Sequence, residues 1–306
     1  MKCSICGETA VINMRHHRLR LCVEHFLEWF PKQTQRTIEK YEMFGPDDRV
    51  LVAVSGGKDS LALWDVLLRL GYQADGVYIN LGIDGAAYSS ASQERVRAFT
   101  EQREGIRYRV VNVADEYGMS VPELARERRR SSKMCSLCGL IKRHIMNRMA
   151  YEGQYAVIAT GHNLDDEVAT LMQNVLHWET GYLERQAPVL PATHPKLARK
   201  VKPLCRMYER DSAAYAIIRG IDYIQEECPY SVGAASIFYK HQLNELEKRS
   251  PGAKSQFYLQ FLKAKREQTM VFPRDERPLL RECRRCGQPT MAGDLCAFCR
   301  LWDRAD

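Results

Sequence analysis

Through the middle of the chain, short apolar runs alternate with longer stretches in which apolar residues recur every three or four positions. This is the cadence of βαβ units around a parallel sheet. It predicts strands over 50–54, 76–81, 108–113 and 155–160, and a helix over 60–70 with Leu61, Trp64, Leu67 and Leu68 on one face. Further helices are expected near 90–104, where serines can cap the start, over 136–152, and from Asp166 to His177. The stretch 180–203 contains Pro188, Pro191, Pro195 and Pro203, which predicts a long irregular loop near the active site. Helices resume over 207–219, 234–249 and 254–268.

The two ends break this cadence. Residues 1–25 and 283–302 are short, rich in Cys and too small to hold a core of their own, so each needs a staple. Cys3-x2-Cys6, fifteen residues, then Cys22-x2-His25 supplies four ligands in two pairs, the spacing of a tetrahedral zinc site. Cys283-x2-Cys286, nine residues, then Cys296-x2-Cys299 does the same with four thiolates. Gly7 and Gly287 each follow the second Cys of a first pair, where a tight turn brings backbone amides toward sulfur. A closed four-ligand shell leaves no position for substrate, so both zinc sites are expected to be structural. Arg15, His16, His17, Arg18 and Arg20 in the first, and Arg281, Arg284 and Arg285 beside the second, suit contact with phosphates.

Composition narrows the setting. With 306 residues, 45% hydrophobic and 27% charged, the chain is globular, and disordered or collagen-like classes are excluded. No run reaches the roughly 18 apolar residues of a membrane helix. The N-terminus lacks the apolar segment of a secretory signal, which predicts a cytoplasmic protein whose eleven cysteines are reduced and for the most part bind metals. A net charge of +7 suits a polyanionic partner.

Between the first strand and helix lies Ser55-Gly56-Gly57-Lys58-Asp59-Ser60. Adjacent glycines let the backbone approach an anion, the helix N-terminus points amides at it, and Lys58 adds a mobile charge. The spacing is not that of the kinase and GTPase phosphate loop G-x4-G-K-[ST]. A second constellation is Cys135-Ser136-Leu137-Cys138-Gly139, with Cys228 far downstream in Glu227-Cys228-Pro229. Three thiolates are an incomplete shell, open to a zinc completed by His, an iron-sulfur cluster with one open iron, or a redox pair.

Ser55 to Ser60 resembles the PP-loop of N-type ATP pyrophosphatases, which cleave ATP between the α and β phosphates and leave AMP on a substrate oxygen. Taken with the Cys pairs at both ends, Cys135 to Arg143, Gly161-His162-Asn163-Leu164-Asp165-Asp166-Glu167, and Glu-Cys-Pro at 227–229, the chain resembles the tRNA 2-thiouridine synthetases along nearly its whole length. The resemblance implies an α/β fold: a parallel-sheet PP-loop domain at 29–280, of the adenine nucleotide α hydrolase type, between zinc fingers at 1–28 and 281–306. It implies that Cys135, Cys138 and Cys228 hold a 4Fe-4S cluster whose fourth iron is open to sulfide. ATP would meet Ala53, Ser55, Gly56, Gly57, Lys58, Asp59, Ser60, Ile79, Lys142, Gly161 and Asp166. Lys142, one turn after Cys138, would be catalytic together with Asp166, Asp59 and Asp165, the last an alternative to Asp166, with Mg2+ against the phosphates.

The expected activity is tRNA uridine 2-sulfurtransfer, at the T-loop 5-methyluridine of position 54 in preference to the anticodon wobble uridine. Sulfur would come from a thiocarboxylated ubiquitin-like carrier, and the enzyme would be a homodimer. Two alternatives are a PP-loop ligase forming an amide or lysidine with structural zinc only, and a non-enzymatic RNA binder. Arg126, Arg128, Arg129, Arg130 and Lys133 are expected to form a basic apron for tRNA, and Cys205 is expected to be a packed thiol outside any ligand set.

Overall fold

The computed structural model describes residues 1–83, 87–129, 134–231, 233, 235–272 and 279–303. A hairpin of β1 (Ile12–Met14) and β2 (Leu19–Leu21) leads into α1 (Val23–Lys40). The central domain then runs β3 (Arg49–Val54), α2 (Lys58–Arg69), β4 (Gln73–Asn80), α3 (Tyr88–Glu101), β5 (Tyr108–Asn112), α4 (Val113–Tyr117), α5 (Val121–Glu127), α6 (Met134–Glu152), β6 (Val157–Thr160) and α7 (Leu164–Leu176). It continues through α8 (Thr180–Arg185), β7 (Val189–Leu190), β8 (Arg199–Val201), α9 (Glu209–Ile218), α10 (Ala235–Arg249) and α11 (Ala253–Arg266). A second hairpin, β9 (Arg281–Glu282) with β10 (Pro289–Thr290), and α12 (Ala297–Leu301) close the chain.

Six strands form one sheet in the order β5-β4-β3-β6-β8-β7, parallel except for β7. Side chains alternate between its two faces, and both faces are covered, as a parallel sheet requires. Val50, Val52 and Val54 join one core with Leu61, Trp64, Phe26 and Phe30, whereas Leu51, Val77 and Ile158 join a second core with Ile141 and Ile145 of α6. From β3 the chain moves outward to β4 and β5, then returns to place β6 on the other side of β3. That reversal opens a crevice at the strand C-termini between β3 and β6, where ligands bind in such folds.

Two regions differ from expectation. The predicted irregular loop at 180–203 holds α8, β7 and β8, and β8 pairs in parallel with β6, so this stretch completes the sheet. Its four prolines fall outside those pieces, which is why composition concealed them. The second region is α1, absent from the predicted elements, with Pro31 in its interior. Proline removes the N–H that would bond to Leu27, and Arg69 Nη1 donates to that Leu27 carbonyl at 3.3 Å instead.

Candidate active site

The Ser55–Ser60 turn joins β3 to α2 at the crevice, and Lys58 is the first helical residue. Gly56 has φ 77°, and a Cβ there would lie 2.5 Å from the Ser92 carbonyl oxygen, so both conformation and space require glycine. Ser60 Oγ accepts from the Ser55 amide at 3.1 Å and donates to the Gly57 carbonyl at 3.0 Å, which fixes the loop. Gly161, after β6, lies under the same turn: a Cβ would come within 2.9 Å of the Ser60 and Asp59 backbone. Its absence of side chain lets β6 approach the start of α2.

Charged groups gather on the outer side of this turn. Lys58 Nζ lies 3.1 Å from Asp59 and 2.7 Å from Glu209, and Lys240 Nζ lies 2.6 Å from Asp166 and 3.0 Å from the other Glu209 oxygen. Burial opposes its ionisation, yet Lys240 and Lys58 hold Glu209 down at about 2. Asp59 is pushed upward, by burial first and then, against the pull of Lys58, by the Asp166 and Glu209 carboxylates. Asn163 links the groups: its Nδ2 donates to Asp59 at 3.0 Å, and with Asp166 it forms a reciprocal cap on α7. Asp165 is placed elsewhere. Its buried carboxylate pairs with Lys254 at 2.5 Å and accepts from the Glu209 amide at 2.8 Å.

A cavity of about 350 Å³ opens beside Ser55. Its lining includes Ala53, Ser55 and Ile79 together with Cys135, Cys138, Lys142 and Cys228. The cysteine triad and Ser55, the first residue of the phosphate turn, therefore share one chamber, whereas Gly56–Ser60, Gly161 and Asp166 are not among its described lining residues. Cys135 Sγ donates to the Tyr230 carbonyl at 3.3 Å. Burial first, and then Cys228 and Cys135, push the Cys138 thiol up to about 11 against the pull of Lys142. Three thiols lining one chamber suit a cationic iron-sulfur cluster, and no fourth cysteine or histidine is among the described lining residues.

At the ends of the chain, Cys3, Cys6, Cys22 and His25 bring their ligand atoms within 4.8 Å of one another, as do Cys283, Cys286, Cys296 and Cys299. Burial works against it, but the amides of Cys6, Ile5 and Cys22 bring Cys3 down to about 6. Amides of Cys296, Cys286 and Arg285 do the same for Cys283. Gly7 and Gly287 stand at φ 78° and 69° in these turns. Both sets fit a thiolate-bound metal ion.

Comparison with known proteins decides the family. Residues 2–27 match the family described as 2-thiouridine synthetase TtuA, N-terminal LIM domain, and residues 30–233 match the PP-loop domain. The chain is 51% identical over 303 residues to the tRNA-5-methyluridine(54) 2-sulfurtransferase of Thermus thermophilus, covering 99% of this chain and 91% of that protein. The chain belongs to the tRNA 2-thiouridine synthetase family. Another 2-thiouridine synthetase, the tRNA-5-methyluridine(54) 2-sulfurtransferase of Pyrococcus horikoshii, is 43% identical over 99% of this chain and 94% of its own. A solved structure, the U34-tRNA thiolase NcsA from Methanococcus maripaludis with its 4Fe-4S cluster, matches with a TM-score of 0.77 at 26% identity, covering 94% of this chain and 92% of that one.

In this 2-thiouridine synthetase several neighbours of the site carried no readable signal. Glu209 and Lys240 come from α9 and α10, far from the PP-loop in sequence, and only the fold unites them. Asn163 was detectable, because Asn followed three residues later by Asp is a helix-start pattern. Within the expected basic apron, Arg128 donates to the Leu301 and Asp303 carbonyls and so ties the C-terminal knuckle to the domain; Arg130 and Lys133 lie outside the described residues. Cys205 is fully buried, and burial pushes its thiol up to about 12, the state of a packed cysteine. No helix among the described residues is long and apolar enough to cross a membrane.

Proposed function

We propose that this chain is an ATP-dependent tRNA uridine 2-sulfurtransferase acting on the T-loop 5-methyluridine at position 54. The observation that carries the reading is the chamber lined by Ser55 of the PP-loop, by Cys135, Cys138 and Cys228, and by Lys142. Identity of 51% and 43% to relatives named for position 54 favours that uridine over the wobble position.

A uracil carbonyl is a poor electrophile, so its oxygen must first become part of a good leaving group. The C2 oxygen attacks the α-phosphorus of ATP, the bond to the bridging oxygen breaks, and pyrophosphate departs. A sulfur nucleophile then adds at C2, and AMP leaves with the former carbonyl oxygen. Ala53 and Ile79 face the nucleoside, while Ser55 through Ser60 and Gly161 hold the phosphate turn. Asp59 and Asp166 are the carboxylates that would hold Mg2+, and Lys142 stabilises negative charge as AMP is transferred and released. Cys135, Cys138 and Cys228 would hold a 4Fe-4S cluster, which would supply an open iron as a binding position for sulfur. On this reading zinc occupies both terminal knuckles, a thiocarboxylated ubiquitin-like protein delivers sulfur, and the enzyme works as a cytoplasmic homodimer. The functional division is 1–28, 29–280 and 281–306.

The test is an anaerobic reaction of tRNA transcript with ATP, sulfide and the purified protein, followed by mass spectrometry of the digested tRNA. Thiolation confined to position 54 is the expected result. A product at the wobble position would reassign the substrate. A colourless protein carrying three zinc ions per chain, releasing AMP without thiolating tRNA, would support a ligase instead.

A further inference from the structure

Glu209 presents its two oxygens to two different lysines, Lys58 of α2 at 2.7 Å and Lys240 of α10 at 3.0 Å. A phosphate offers a fork of donors the same thing: two oxygens of like charge. Asp59 and Asp166 are held in place by the Asn163 side chain and backbone, respectively. The Glu209 carboxylate, by contrast, is held by the two lysines alone among the described residues. Its backbone is anchored through the amide that donates to Asp165, and its side chain is 32% exposed, so rotation into water leaves α9 in place. The charge balance points the same way. Three carboxylates, Asp59, Asp166 and Glu209, face two lysines, a net negative cluster into which nucleotide phosphates must come.

We propose that Lys58 and Lys240 form one clamp for the β- and γ-phosphates of ATP, and that Glu209 is the internal competitor those phosphates displace. Lys240 is thus a second phosphate-positioning lysine, supplied by a helix outside the PP-loop. Glu209 sets the affinity of the clamp and favours release of pyrophosphate once AMP has been transferred. The proposal rests on the reading of Ser55–Ser60 as the nucleotide phosphate cradle.

Isothermal titration of the anaerobically purified holoenzyme with inorganic pyrophosphate, and separately with AMP, at fixed Mg2+ tests it. Glu209→Gln should bind pyrophosphate about fivefold tighter, the effect of losing one half-exposed ion-pair competitor. Lys240→Met should bind it about fivefold more weakly, Lys240→Arg should retain affinity, and AMP binding should be unchanged in all three. Unchanged or weaker pyrophosphate binding by Glu209→Gln would make Glu209 a strut that aligns the lysines and overturn the proposal, as would wild-type binding by Lys240→Met. Lys58→Met separates the two layers. Its loss of pyrophosphate binding with no response to Glu209→Gln or Lys240→Met overturns the clamp alone, whereas wild-type binding by Lys58→Met removes the cradle reading as well. If Lys240→Met does not fold, the sign of the Glu209→Gln change decides.

Discussion

Asp165 and Asp166 are adjacent in sequence and face different surroundings. Asp165 is buried against Lys254, both side chains about 5% exposed or less, while Asp166 faces Lys240 at the edge of the phosphate turn with 29% of its side chain exposed. Removing one partner of a buried pair strands the other charge, so Asp165→Asn should lower stability by about 3 kcal/mol or more in chemical denaturation. Asp166→Asn should cost about 1 kcal/mol or less in stability yet lower AMP release by at least about tenfold. Equal stability losses in the two variants would contradict this division. Sequence located the pair of carboxylates but not their division of labour, because which of the two meets Lys254 depends on α11 packing beside α7.

At the scale of elements, α7 presents Asp166 in its first turn because Asn163 starts it. The Asn163 side chain accepts from the Asp166 amide, Asp166 accepts from the Asn163 amide, and the spare Nδ2 reaches Asp59 on α2. Asn163→Ala should cost about 1 kcal/mol in thermal or chemical unfolding. It should also raise the KM for ATP by severalfold, since Asp59 loses its tether; an unchanged KM would show that the link between the two helices is dispensable. The strands here were legible because both faces of a parallel sheet are buried, leaving continuous apolar runs such as Val50 to Val54. By contrast α1 and β8 were hidden by prolines within or around them, and their stabilising partners, Arg69 for α1 and β6 for β8, are distant in sequence.

Across the whole molecule, the two knuckles are welded to opposite faces of the central sheet. Ile12, Met14 and Leu21 share a core with Phe26 and Phe30, while Phe298 and Leu301 share one with Ile141 and Ile145. The C-terminal contact includes a stack of Phe298 on His144, centroids 3.7 Å apart and planes 3° apart. Burial first, and Arg148 second, push the His144 imidazole down to about 4. Between about pH 6.5 and about pH 4 the unfolded chain therefore binds a proton that the folded chain does not. Stability contributed by this site is full above pH 6.5 and falls as pH drops through the window. Subtracting the stability–pH curve of a His144→Gln variant from that of the protein should leave a slope confined to this window; a flat difference would show that His144 titrates normally.

On the proposed reading, nucleotide activation and sulfur delivery occur in one chamber, lined by Ser55 and the Cys135, Cys138 and Cys228 thiols. The most direct test counts AMP released and 2-thiouridine formed in the same anaerobic reaction of tRNA, ATP and sulfide, for the protein and for Cys228→Ala. The account predicts one AMP per 2-thiouridine for the protein, and loss of the 2-thiouridine in Cys228→Ala while the chain remains folded. Full 2-thiouridine formation by Cys228→Ala with sulfide as the donor would contradict it.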